Sequence, residues 1–179
     1  DVGPSVVSVN VTGLASTQSI FGPSQQQTQG AGTGVIISKE GVIITNRHVV
    51  PTGTSKVSVT MSDGTALDAE VIGRTNENDT LDVAFLKVTN TKGKTLKAAQ
   101  LADSSKVLVG DRVVAIGNAL GQFQNTVTSG IISGYGRNIQ ASDGSGSAGE
   151  SLQNLFQTDT AINRGNSGGP LVNTSGQVI

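Results

Sequence analysis

The sequence predicts an all-β chain. Val, Ile and Thr recur in short runs, Gly, Asn, Asp and Ser punctuate those runs, and glycine supplies 24 of the 179 residues. That is the pattern of many short strands joined by turns. Hydrophobic residues make up 35% of the chain and charged residues 14%, a balance that can bury a core in one domain or in two small subdomains sharing a cleft.

Composition also sets aside several function classes. Twelve basic and thirteen acidic residues are scattered along the chain for a net charge of −1. No basic stripe is available to neutralise phosphates, so nucleic-acid binding is disfavoured. Cysteine is absent and histidine occurs once, which rules out disulfides and cysteine nucleophiles. A metal centre would need mostly carboxylates, so neither metal nor cofactor is expected. The lack of cysteine does not fix the compartment. No apolar run approaches the ~18 residues of a membrane span, and no signal peptide opens the chain. Asp1 reads as the start of a trimmed or mature domain.

Taken in order, Pro4 to Val11 alternates and predicts a first strand. Thr12 to Gln29 is rich in Gly, Ser and Gln, holds Ile20 and Phe21, and reads as a long loop. Such a loop is either a flexible insertion or a functional segment for subunit contacts or gating. Gly30 to Gly34 enters a strand at Val35 to Ser38; it lacks the G-x-G-x-x-G pattern and the following helix of a phosphate loop. Lys39-Glu40-Gly41 turns the chain into Val42 to Thr45, completing a hairpin. Further strands are expected at Lys56 to Met61, Ala66 to Gly73 and Leu81 to Val88. Residues 89–110 are polar and read as a connection between two six-strand-sized halves. The second half begins with Asp111 to Asn118, holds strands at Asn125 to Tyr135 and Leu171 to Asn173, and has Leu155 to Thr158 leading into the Ser167 segment. Gln140 to Glu150 is a low-complexity loop, and Gln177 to Ile179 begins a strand that is not finished.

The chemistry centres on Gly165-Asn166-Ser167-Gly168-Gly169-Pro170. Glycines permit backbone angles that other residues avoid, so this turn can aim two N–H groups at one point beside the serine oxygen, as an oxyanion hole requires. It can equally be an ordinary tight turn between strands. The run also fits the G-x-S-x-G elbow of α/β-hydrolases, which needs a helix after the serine and a later histidine. Pro170 follows three residues on, and none of the twelve residues after Ser167 is histidine. A base for Ser167 must therefore lie earlier. His48 can fill that role or be a structural or surface histidine, and a lysine remains open as a base. Asp82 opens an apolar run, where a charge calls for a partner; it reads either as a strand-end turn residue or as a carboxylate orienting His48. The order His48, Asp82, Ser167 is that of chymotrypsin-type triads, and two small β-barrels flanking one cleft would bring the three together.

Four segments in this order resemble the HtrA (Deg) family of chymotrypsin-fold serine proteases. They are T-N-R-H-V-V around His48, L-D-V-A-F-L-K-V around Asp82, G-N-A-L-G with T-V-T-S-G-I-I-S from Gly117, and Q-T-D-T-A-I-N-R-G-N-S-G-G-P-L-V-N around Ser167. The resemblance implies two six-stranded antiparallel β-barrels, chymotrypsin-like, the second incomplete in this chain. Residues 1–88 would carry His48 and Asp82, 89–110 would connect, and 111–179 would carry Ser167, together forming one protease domain. It implies an endopeptidase acting on unfolded or damaged polypeptides, with catalytic His48, Asp82 and Ser167. The oxyanion hole would be Gly165, Asn166 and Ser167, with the N–H groups of Gly165 and Ser167 as donors. Ala161 and Ile162 would floor the specificity pocket. Without a charge there, cleavage is expected after small or medium aliphatic residues.

The family implies a homotrimer, an extracytoplasmic location (periplasm, cell envelope or organelle lumen), membrane anchoring by a segment not present here as one arrangement, and PDZ domains beyond this chain. Two departures stand out. Ala119 replaces a proline common in relatives, a modest loop change, and the chain stops at Ile179, before the last strands of the second barrel. The alternative to an enzyme is a protease-fold, chaperone-like binder of unfolded chains. A structural β-domain ranks behind both.

Overall fold

The computed structural model describes residues 1–19, 22–119, 123–141, 150–163 and 165–179. Among these lie ten strands and three single turns of 3-10 helix. The strands are β1 (Val6–Ser19), β2 (Gly22–Ile36), β3 (Val42–Thr45), β4 (Thr54–Thr60), β5 (Ala66–Arg74), β6 (Ala84–Val88), β7 (Arg112–Ala119), β8 (Phe123–Ala141), β9 (Glu150–Thr158) and β10 (Leu171–Asn173). The first six close into a barrel in the order β1-β2-β3-β6-β5-β4, and the rest form a four-stranded sheet in the order β10-β7-β8-β9. The all-β expectation and the six-stranded first barrel are borne out; the second unit is an open sheet of four strands.

Alternation explains the barrel. Val7, Val9 and Val11 on β1, Val57 and Val59 on β4, Leu67 on β5 and Leu86 and Val88 on β6 point inward and pack with Ile36, Ile43 and Met61 into one buried cluster. Each side chain fully buried in this way contributes about 1.5–3 kcal/mol relative to exposure. A smaller cluster of Val2, Val6, Ile116 and Val172 joins the start of the chain to the second sheet. The polar connection is stitched across both units: Ala99 N donates to Ile36 O at 2.8 Å, and Ala102 N to Val178 O at 2.7 Å.

Several expectations need correction. The stretch Thr12 to Gln29 is not a loop. β1 and β2 stay paired from Thr12↔Gln29 to Ser19↔Gly22, beyond Gly13 where β1 stops pairing with β4, because backbone hydrogen bonds sustain a hairpin whatever its side-chain pattern. Asp82 does not open a strand but precedes β6, which begins at Ala84. The strand expected at Asn125 to Tyr135 extends over Phe123–Ala141, and the run from Leu155 to Thr158, not expected as a strand, is the end of β9, which starts at Glu150. Both ends of the supposed loop from Gln140 to Glu150 are therefore strand, while its middle, 142–149, lies outside the described residues. So do Ile20, Phe21, Leu120, Gly121 and Arg164. Ala119 closes β7 rather than sitting in a loop.

Candidate active site

β3 carries the chain out of the barrel at Thr45, and one 3-10 turn, Arg47–Val49, follows. Val49 and Val50 are buried in the barrel core, which pins the turn and leaves His48 outside. Asp82 arrives from the segment before β6. Its Oδ2 lies 2.5 Å from His48 Nδ1, and its Oδ1 accepts the His48 backbone N–H at 3.0 Å. The carboxylate therefore grips both the ring and the main chain of one residue. The Asp82 side chain is 8% exposed and that of His48 48%, so the acid is sealed while the imidazole faces solvent.

Burial pushes the Asp82 carboxyl up. The hydrogen bonds from the His48 side chain and N–H, with the charges of His48 and Arg47, outweigh it and hold the group below the ordinary carboxylate range. Arg47 is buried beneath this pair, its Nε 4.0 Å from Asp82 Oδ1. A buried guanidinium must be matched by acceptors. Arg47 donates to Thr75 Oγ1 at 3.2 Å, to Leu81 O at 3.1 Å and to Asn76 O. One side chain thus gathers the polar segment that delivers Asp82.

Ser167 sits in the turn before β10. Gly165 and Gly168 have φ of 99° and 82°, left-handed values that favour glycine. A Cβ on Gly168 would overlap Thr33 O and Thr45 Oγ1, and one on Gly117 would collide with Asn166. The turn is pressed between the two units. Thr33 holds it from β2: its N–H donates to Ser167 O at 2.8 Å and its Oγ1 to Gly165 O at 2.7 Å. Asn166 is buried, with its N–H donating to Asn163 O at 3.1 Å and its O accepting from Gly169 N at 2.8 Å.

Gly165, Ser167 and His48 line one cleft of about 670 Å³, walled on the barrel side by Gln29 to Ala31 and by Pro51 to Thr54. The three residues singled out for catalysis therefore converge: Asp82 contacts His48, and His48 shares a cleft with Ser167. Ala161 and Ile162 do not line this cleft. Both are exposed, and the Ala161 carbonyl accepts from Thr128 Oγ1 at 2.9 Å.

A model of the trypsin-like peptidase domain matches residues 32–179. The chain belongs to that family. It is 41% identical to the serine protease Do-like HtrA of Bacillus subtilis, over 100% of this chain and 40% of that protein. It is 43% identical to the periplasmic pH-dependent serine endoprotease DegQ of Escherichia coli, over 98% of this chain and 39% of that one. A solved structure of the HtrA-type protease AlgW with decapeptide aligns with a TM-score of 0.75 at 33% identity, over 99% of this chain and 55% of that chain. These findings bear out the HtrA resemblance. The chain spans about two fifths of the length of these two HtrA and DegQ relatives.

The sequence alone assigned no role to Thr33, Arg47 or Asn46, whose amide bonds to Asp82 O and Gly168 N; all three hold the site together. A signal for two of them was present: Thr45-Asn46-Arg47 places three polar residues directly after an apolar strand and before the lone histidine. For Thr33 no signal exists, since its partners in the serine turn, Gly165 and Ser167, lie 132 and more positions away.

Proposed function

We propose that this chain is the proteolytic domain of a serine endopeptidase. Ser167 attacks the peptide carbonyl; His48 takes the hydroxyl proton and returns it to the leaving amine. Asp82 keeps the imidazole in the tautomer with Nδ1 protonated and stabilises the imidazolium. The N–H groups of Gly165 and Ser167 receive the developing oxyanion, and Asn166 shapes the turn between them. Residues 1–88 and 111–179 act as two halves of one protease domain, joined by 89–110. The observation that carries this reading is the 2.5 Å contact of His48 Nδ1 with Asp82 Oδ2, at a cleft that His48 and Ser167 both line.

The preferred residue before the scissile bond is small or medium aliphatic. Support comes from sequence position alone: Ala161 stands where tryptic enzymes carry an acid, and neither it nor Ile162 supplies a charge to balance a buried Lys or Arg. Substrates are unfolded or damaged polypeptides, as the family resemblance implies, and the compartment is extracytoplasmic, a reading supported by the periplasmic DegQ of Escherichia coli. Homotrimeric assembly follows from the family resemblance alone.

The test is digestion of a permanently unfolded protein, such as reduced and carboxymethylated lactalbumin, with the new C-termini sequenced. Fragments ending in Val, Ala or Ile are expected, and Ser167→Ala lowers kcat by roughly 10⁶-fold. Binding without cleavage would instead make this a holding domain for unfolded chains. Ends at Lys or Arg would overturn the pocket reading.

A further inference from the structure

We propose that Asn46 is a positioning residue for this reaction, a single amide that locks the serine turn to the acid–histidine pair. The inference rests on the reading of Ser167, His48 and Asp82 given above. Asn46 stands between β3 and His48. Its Nδ2 donates to Asp82 O at 2.7 Å, and its Oδ1 accepts from Gly168 N at 2.6 Å. A carbonyl can only accept and a backbone N–H can only donate, so these two partners fix which way the amide points.

The Ser167–Gly168 peptide is held at both ends by the first barrel. Its N–H goes to Asn46, and its carbonyl accepts from Thr33 N at 2.8 Å. The backbone carrying the Ser167 oxygen is thereby referenced to the same residue that fixes the main chain of Asp82. Asp82 in turn holds His48 by ring and backbone. Thr45, next in sequence to Asn46, donates from Oγ1 to Thr33 O at 2.6 Å, which ties the two anchoring residues to each other. Gly168 packs so closely against Thr33 and Thr45 that the turn cannot slide without breaking these bonds. No side chain other than Asn or Gln offers one donor and one acceptor on a planar amide, and Gln adds a methylene that the 2.6 and 2.7 Å contacts leave no room for.

The predicted effect is on kcat and not on binding, because Asn46 lies behind the turn and does not line the cleft. Misplacing a reacting group by about 1 Å lowers rates by up to a hundredfold. In the protein, Asn46→Ala is expected to lower kcat on an aliphatic peptide substrate, and the rate of Ser167 labelling by a fluorophosphonate, by about ten- to a hundredfold. KM should change less than about twofold. Asn46→Asp keeps the shape and the acceptor for Gly168 N but turns an oxygen toward the Asp82 carbonyl. It should show the same selective loss, and it covers the case in which the alanine variant fails to fold. Rates are normalised to the folded fraction from a urea titration. Wild-type kcat and labelling rates in a folded variant, or a loss confined to KM, would overturn the inference. Absence of any adduct on Ser167 in the unsubstituted protein would instead overturn the reading of the site on which it rests.

Discussion

Asp82 shows how far one side chain depends on its neighbours. Burial alone would favour the neutral acid, yet two hydrogen bonds from His48 and the nearby guanidinium of Arg47 keep it ionised below the ordinary range. A carboxyl whose folded pKa lies below its unfolded value, near 3.9, stabilises the fold fully above that unfolded value. The contribution is lost as pH falls through the folded pKa. The difference in unfolding free energy between the protein and Asp82→Asn should therefore hold down to about pH 4 and shrink as pH drops below it. Urea titrations at a series of pH values measure it, and a constant difference would contradict the assignment. The lowered carboxyls of Glu40, Asp63 and Asp103 are exposed and cancel between the two proteins. His48, Asp82 and Ser167 were legible in the sequence because each is a chemically distinctive residue inside a specific segment. Asn46 showed only as a polar residue shortly before His48; its role emerges when the fold brings Gly168, 122 positions away, to its oxygen.

At the scale of elements, β3 does most to place the site, since it leads directly into Thr45, Asn46 and His48. Ile43 on β3 is fully buried in the barrel core, and Ile36, its partner in the ladder with β2, is buried as well. Ile43→Ala should cost about 2–5 kcal/mol through lost burial and the cavity left behind. The loss should appear as a lower urea midpoint, while kcat of the fraction that remains folded stays within about twofold, because Ile43 touches no reacting group. A stable variant would mean that the barrel core is not packed as described. Strands with a buried face were readable from alternation, as β4 and β6 were. The distal arm of the β1–β2 hairpin was not, because a ladder that runs beyond the barrel forms its backbone hydrogen bonds without leaving an apolar period in the sequence.

At the scale of the molecule, the site belongs to neither unit alone. The closed barrel supplies His48, Asp82 and the anchors Thr33 and Asn46, while the turn bearing Ser167 comes from the segment between β9 and β10. The strands of the barrel and those of the second sheet come from two sets of apolar runs on either side of a polar stretch in the sequence. How the barrel and the second sheet dock was not visible, because the contact at the serine turn is made by Thr33, by Asn46 and by the close approach of Gly168 to Thr33 O and Thr45 Oγ1, none of which leaves a compositional trace. The central claim is that this docking assembles a working nucleophile and base. Incubating the protein with a fluorophosphonate and mapping the adduct by mass spectrometry tests it most directly. One adduct is expected, on Ser167, abolished in His48→Ala. A folded protein that gives no adduct, or one that labels equally without His48, would contradict it.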